Sequence, residues 1–291
     1  MTAPLRLRLD PDALIANWRA LDRLSGAAAC GAAIKADGYG LGARGVATRL
    51  AAAGTRDFFV ASWSEAAALA DCGLDVAVLH GVRAEDMPLA LSGIARPVLN
   101  SAAQVARWRD AGGGRCDVMV DTGINRLGVA PEEVRGGLLD DLQIDTLLSH
   151  LACADEDSAM NARQATAFRA LEGRTAARRM SLANSAGIAL GADYAFDLTR
   201  PGLALYGGVA RAELAAVVRQ VVTPEARFCN AAPSRRASRS DITRSIPRRC
   251  QWKLPSSTSV MPTAIGAASA IAGLRWLEEL ACQWWGVCRW I

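Results

Sequence analysis

Short apolar runs alternate with helix-like stretches through the first 206 residues, and this alternation restricts the fold more than any other feature of the sequence. The apolar runs fall at residues 28–34, 58–60, 76–79, 97–99, 118–120, 144–148, 180–183 and around 203–206. Helix-like stretches at 11–24, 44–53, 65–71, 101–111 and 160–178 lie between or before them. Strands interleaved with helices predict an α/β fold with a parallel sheet, and eight strands are the number that closes a (β/α)8 TIM-type barrel. A doubly wound open sheet is the alternative. The barrel carries a testable demand, because its chemistry belongs at the C-terminal ends of the strands. Residues 5–9 alternate with period two, as a strand does. Asp10 and Pro11 then supply an N-cap and a first-turn proline for the helix 11–24.

Composition divides the chain. Residues 1–225 hold 23 Lys+Arg against 26 Asp+Glu, whereas residues 226–291 hold 10 against 3, so the overall +4 comes from the C-terminal part. That part also carries 5 of the 8 Trp and 4 of the 8 Cys, with little strand alternation. The expectation is a barrel over 1–225 followed by an irregular basic tail over 226–291. The whole chain is 51% hydrophobic and 21% charged, the balance of a globular protein rather than a disordered or fibrous one. The four cysteines of the first part form no CxxC pair, so no zinc site or disulfide framework is expected, and a reducing cytoplasm fits. No secretory h-region follows Arg6 and Arg8. Residues 254–274 are uncharged but too rich in Pro, Ser and Thr for a membrane span.

The chain has 31 Arg but only two Lys, Lys35 and Lys253. A lysine retained in such a background can serve chemistry that arginine cannot, such as forming an imine. Lys35 lies where an apolar strand runs into a glycine-flanked turn, and burial there would lower its pKa and expose a nucleophilic amine. An ordinary solvated loop lysine is the alternative. Arg200-Pro201-Gly202-Leu203 could cradle an anion on backbone N–H groups, as loops after barrel strands 7 and 8 do, or could be an ordinary turn. Other motifs are weaker. Gly40–Gly45 matches G-x-G-x-x-G, but residues 35–39 intrude after the strand and no ribose-binding acid follows the next one. Asp121-Thr122-Gly123 occurs once, and His150, Cys153 and Asp155 lack a second cluster to complete a metal site.

Taken together, residues 7–21, 33–42, 120–128, 149–156, 184–185 and 197–207 resemble the alanine racemase family, in family order. The resemblance implies pyridoxal 5'-phosphate as cofactor and interconversion of L- and D-alanine, feeding peptidoglycan. It also implies a homodimer and no nucleic-acid or membrane partner. Lys35 would hold the cofactor covalently and act as one catalytic base. Tyr39, Asn184, Ser185 and the backbone of Gly202 and Leu203 would gather around its phosphate, with Tyr206 nearby. Arg200 would hydrogen-bond the pyridine nitrogen, and His150 would lie against the ring and bond Arg200. Arg126 would reach the phenolic oxygen and the substrate carboxylate. Two positions depart from the family pattern. Met119 stands where many members carry a carbamylated lysine, so Arg126 must be oriented by something else. No tyrosine follows Tyr206, whereas the family takes its second base from a C-terminal tyrosine of the partner subunit.

That gap gives the basic tail one reading, a reading-frame shift near residues 225–228, which translation of the gene in its other frames would test. A divergent basic segment is the alternative. Two other functions stay open on sequence: a barrel-only pyridoxal-phosphate binding or homeostasis protein, and a nicotinamide oxidoreductase using Gly40–Gly45.

Overall fold

A computed structural model describes residues 5–226. The tail expected over 226–291, and with it the frame-shift reading, lies essentially outside the described residues. Two units are present. The first is a two-stranded antiparallel ribbon of β1 (Leu5–Leu9) and β11 (Val222–Ala226), with Leu5 opposite Ala226 and Leu9 opposite Val222. Arg6 and Arg8 both reach Glu225, at 2.6 and 3.2 Å.

The second unit, Asp10–Val221, is a closed (β/α)8 barrel. Seven parallel strands follow one another in sequence order: β3 (Ala32–Ala33), β4 (Asp57–Val60), β5 (Asp75–Val78), β6 (Arg96–Leu99), β7 (Cys116–Met119), β8 (Ile144–Leu148) and β9 (Arg179–Ser181). The short strand β2 (Ala29–Cys30) continues into β3 past Gly31 and pairs in parallel with β10 (Leu198–Thr199), the eighth strand. Backbone bonds complete the ring: Asp197 N donates to Met180 O and Arg200 N to Ala183 O on one side, while Gly31 N donates to Thr199 O and Ala33 N to Pro201 O on the other.

The eighth strand therefore precedes the apolar run assigned to it. Residues Leu203–Tyr206 form a 3₁₀ turn packed near the first helix. Pro201 and Gly202 end the strand, since proline cannot donate to a ladder and glycine weakens it; burial of Ala204, Leu205 and Tyr206 then gives the run its apolar character. The first helix spans Pro11–Leu24 as expected, with the Asp10 carboxylate accepting from Ala13 N. Its buried Asn17 is satisfied by the Leu205 and Arg219 carbonyls and the Arg219 amide. Two helices are shorter than their sequence patterns suggest. The run 65–71 divides into a helix Trp63–Ala67 and a 3₁₀ turn, and the helix begun near 160 stops at Arg169, ahead of Gly173. No helix among the described residues is long and apolar enough to cross a membrane.

Side chains alternate across a strand with period two, which stacks the barrel interior in layers. Ala33, Phe59, Ala77, Val98, Met119, Leu148 and Leu198, one from each of seven strands, make an apolar middle layer. Two residues earlier on four of these strands come Asp57, Asp75, Arg96 and Asp117. With Asp145 and Arg179 they form an ion-pair network at the N-terminal end of the barrel. Arg96 contacts Asp75, lies 3.4 Å from Asp117 and 3.8 Å from Asp145, and Arg179 bridges Asp57 and Asp145 at 2.7 and 2.9 Å.

Candidate active site

The same period applied in the other direction reaches the opposite end of the barrel. Two residues beyond Ala33, Met119, Leu148 and Leu198 stand Lys35, Asp121, His150 and Arg200. The middle layer thus separates a structural floor from a polar rim at the C-terminal ends of the strands, which is where the barrel demanded its chemistry.

Lys35 is 7% exposed. The chain leaves it through a left-handed turn: Ala36, Asp37, Gly38 and Tyr39 all have φ between 52° and 64° and ψ between 36° and 50°. Three of the four are not glycine, and left-handed helical geometry costs L-residues roughly 1–2 kcal/mol each. Such strain persists only where the surroundings enforce it. Asp37 Oδ1 accepts from Ala43 N at 2.7 Å at the far end of the turn. The Tyr39 ring stacks on Tyr206 at 4.4 Å between centroids, and Lys35 Nζ lies 5.9 Å from the Tyr39 ring centre. Tyr206 gives its hydroxyl to the Ala33 carbonyl at 3.0 Å, so it serves as a buried prop for Tyr39.

Ser185 Oγ accepts from the amides of both Gly202 and Ala204, at 3.0 and 3.1 Å. The residues assigned to an anion cradle therefore converge in space, with Leu203 between those two amides and 40% exposed. Asn184 takes a supporting part, capping the helix Ser185–Ala189 through a 2.9 Å bond from Gly187 N. Gly202 is required by crowding. A Cβ there would collide with Tyr39 Oη and sit 3.3 Å from Ala33 Cβ. Gly202→Ala should displace the Tyr39 hydroxyl, and we expect about tenfold to hundredfold weaker binding of pyridoxal 5'-phosphate in a fluorescence titration, the size of an overpacking penalty.

Arg200 is buried, and its guanidinium is held by Ser181 Oγ and by the Ser149 carbonyl at 2.7 Å. Its described hydrogen bonds go to these two residues, where the resemblance had implied His150. Burial lowers its pKa to about 10, with Asp117 opposing, which leaves it protonated at neutral pH. His150 joins the cluster electrostatically: burial first, then the charges of Arg200, Arg126 and Lys35, push its pKa down to about 3. A histidine held neutral in this way adds stability that is complete above about pH 6.5 and is lost as pH falls toward 3, because the unfolded chain takes up the proton first. The His150 imidazole resonance, identified by its absence in His150→Asn, is accordingly expected not to titrate between pH 8 and 4 in an NMR series.

Arg126 is exposed, on the loop after β7. The structure shows what shapes that loop. Asp121 Oδ1 accepts from Gly123 N and Asn125 N, and Oδ2 accepts from Arg126 N, at 2.8 to 3.1 Å, so one carboxylate shapes the loop through its backbone. Met119 fills the middle layer instead of reaching the rim. Gln164, buried on the helix Ala159–Arg169, ties this loop to the next: Nε2 donates to the His150 carbonyl at 3.0 Å and lies 3.4 Å from Thr122 Oγ1, while Oε1 accepts from Ala152 N. Thr122 and Ser149 complete the connection at 2.8 Å. Asp121, Gln164 and Ser181 were not singled out for these roles on sequence. The period-two step from Met119 was the available signal for Asp121; Gln164 and Ser181 act through contacts that no spacing encodes.

Comparison with known proteins identifies the family and the fold. The family model described as alanine racemase, N-terminal domain, matches residues 9–210. The chain belongs to the alanine racemase family. An alanine racemase of Rhizobium meliloti is 42% identical over 240 residues, covering 78% of this chain and 63% of its own length. The chain therefore spans less than two thirds of that relative. An alanine racemase of Rhodospirillum rubrum is 37% identical over 293 aligned residues, 94% of this chain and 77% of the relative, a span that continues past residue 226. Among solved structures, the Bartonella henselae alanine racemase with covalently bound pyridoxal phosphate superposes with a TM-score of 0.72 at 32% identity, covering 78% of this chain and 70% of that one. The Corynebacterium glutamicum alanine racemase gives 0.71 at 30% identity, covering 77% and 69%.

Proposed function

We propose that the chain is a pyridoxal 5'-phosphate-dependent racemase of alanine. The observation that carries this reading is the placement of Lys35, His150 and Arg200 two residues beyond the apolar middle layer, at the C-terminal ends of their strands, with the Ser185–Gly202 contact in the same barrel. The donor set fits the cofactor's chemistry. A buried primary amine suits an aldehyde, and Ser185, the amides around Gly202 and the Tyr39 hydroxyl suit a phosphate. Arg200 and the uncharged His150 suit a heteroaromatic ring. When bound, the cofactor supplies an electron sink that acidifies the substrate Cα–H.

The protein's own groups handle the proton and the carboxylate. Lys35 is the base placed to remove or return the proton at Cα. Arg200 can donate hydrogen bonds but does not release its proton at neutral pH, so it would hold a ring nitrogen of the cofactor without protonating it. Arg126 is the cation available for a substrate carboxylate. D-alanine supply to peptidoglycan and a homodimeric assembly belong to the same proposal.

The test is incubation of purified protein with pyridoxal 5'-phosphate and either enantiomer of alanine, with products separated on a chiral column. Cofactor uptake without conversion of either enantiomer would favour a barrel-only cofactor-binding protein.

A further inference from the structure

We infer that Glu65 is a positioning residue for Lys35, an inference that rests on the proposed racemase function. Glu65 begins as part of a local motif: with Ser62 it forms the capping box of the helix Trp63–Ala67. A capping box needs the glutamate only at the Ser62 amide, which Oε2 accepts at 3.2 Å. The same oxygen also takes the Ala61 amide at 2.6 Å. The other oxygen, Oε1, leaves the helix and accepts from Ala36 N, 29 positions earlier in the chain, at 2.6 Å.

Ala36 N belongs to the peptide that follows Lys35, so fixing that peptide plane fixes ψ of Lys35 and the direction in which its side chain departs. On the other side, Ile34 N donates to the Phe59 carbonyl at 2.8 Å. Lys35 is therefore bracketed by β4 before it and by the residues just beyond β4 after it. The bracket is needed because Ala36 opens the left-handed turn, whose strain would otherwise release the lysine from its place. A carboxylate is a strong acceptor for a backbone N–H, and a single residue serving Ala36, Ala61 and Ser62 couples the helix start to the strained turn. Helix capping alone explains the Ser62 contact and leaves the Ala36 contact without a purpose.

The experiment compares wild type, Glu65→Gln and Ser62→Ala, each as the full chain loaded with pyridoxal 5'-phosphate. Glutamine keeps the size but presents an amide NH₂ to one of the backbone donors. Ser62→Ala removes the hydroxyl half of the cap and leaves the Glu65–Ala36 bond. Three readouts are taken: the absorbance of the Lys35-bound cofactor as a function of pH with its retention on dialysis, hydrogen exchange of the Ala36 amide, and the thermal midpoint. For Glu65→Gln we expect about tenfold or more loss in cofactor retention, the size of one charge-assisted hydrogen bond, a displaced pH midpoint of the absorbance, and faster Ala36 exchange by a similar factor. Ser62→Ala should lower only the thermal midpoint. Wild-type absorbance, retention and Ala36 protection in Glu65→Gln would overturn the proposal, as would the same losses in Ser62→Ala. A wild-type chain that takes up no cofactor at Lys35 would remove the racemase function and this proposal with it, an outcome distinct from normal uptake by both wild type and Glu65→Gln.

Discussion

Lys35→Ala is expected to abolish covalent retention of pyridoxal 5'-phosphate and to reduce alanine racemisation by about 10²- to 10⁴-fold or more, since under the proposed function it removes both the cofactor's attachment point and a catalytic base. Lys35→Arg should fare no better. It keeps the positive charge, but a guanidinium stays protonated and is no nucleophile. The pair of variants thus separates charge from nucleophilicity in a chain that holds 31 Arg and only two Lys. Lys253→Ala should leave both cofactor uptake and turnover as they are. Circular dichroism of Lys35→Ala should match the parent, because the side chain follows β3 and belongs to no part of the middle layer. Racemisation of L-alanine by Lys35→Ala at the parental rate would remove Lys35 from the mechanism.

The second large effect is on stability and lies at the other end of the barrel. Arg96 is the cation nearest Asp117, which is fully buried and also accepts from Thr146 N at 3.0 Å. Burial raises the Asp117 pKa to about 6, against the opposing charge of Arg96. Arg96→Met would leave that carboxylate without its cation, at a cost of about 3–5 kcal/mol, a large share of the ~5–15 kcal/mol that holds a domain together. Urea unfolding should show it as a lower midpoint. The pH dependence has a definite sign. A carboxyl whose folded pKa lies above its unfolded value of roughly 3.9 contributes stability that is complete below about pH 4 and is lost as pH rises through 6. The Arg96→Met defect should therefore be smaller at pH 5 than at pH 8. Replacing both partners, Arg96→Met with Asp117→Leu, should recover most of the loss, because no unpaired charge then remains. An equal defect at both pH values would show that Asp117 is not the group that suffers.

Much of this arrangement was legible in the sequence because short apolar runs separated by helix-like stretches mark the strands of a parallel barrel. The strand at 144–148, the helix at 11–24 with its Asp10 cap, and the placement of Lys35 and His150 at strand ends all follow from local pattern. The eighth strand was misplaced because Leu198–Thr199 is only two residues long, and the longer apolar run after it is apolar for a different reason, packing as a 3₁₀ turn. The left-handed turn after Lys35 could not be read, since alanine and tyrosine disfavour it and its contacts include one to Glu65, 29 positions from Ala36. Glu65 was visible as a capping residue, but its bond to Ala36 joins residues 29 positions apart. The ion-pair floor was hidden for a related reason. Its members are spread one or two per strand, and only the closed ring brings them together.

Under the proposed function, Lys35 is the residue that holds the cofactor covalently at the rim of this barrel. The chain has two lysines, which makes the decisive measurement simple. Purified protein is incubated with pyridoxal 5'-phosphate, reduced with borohydride to make the lysine linkage permanent, digested, and its peptides weighed by mass spectrometry. The pyridoxyl mass should appear stoichiometrically on the peptide containing Lys35. Its absence there, or an equal share on the peptide containing Lys253, would contradict the account.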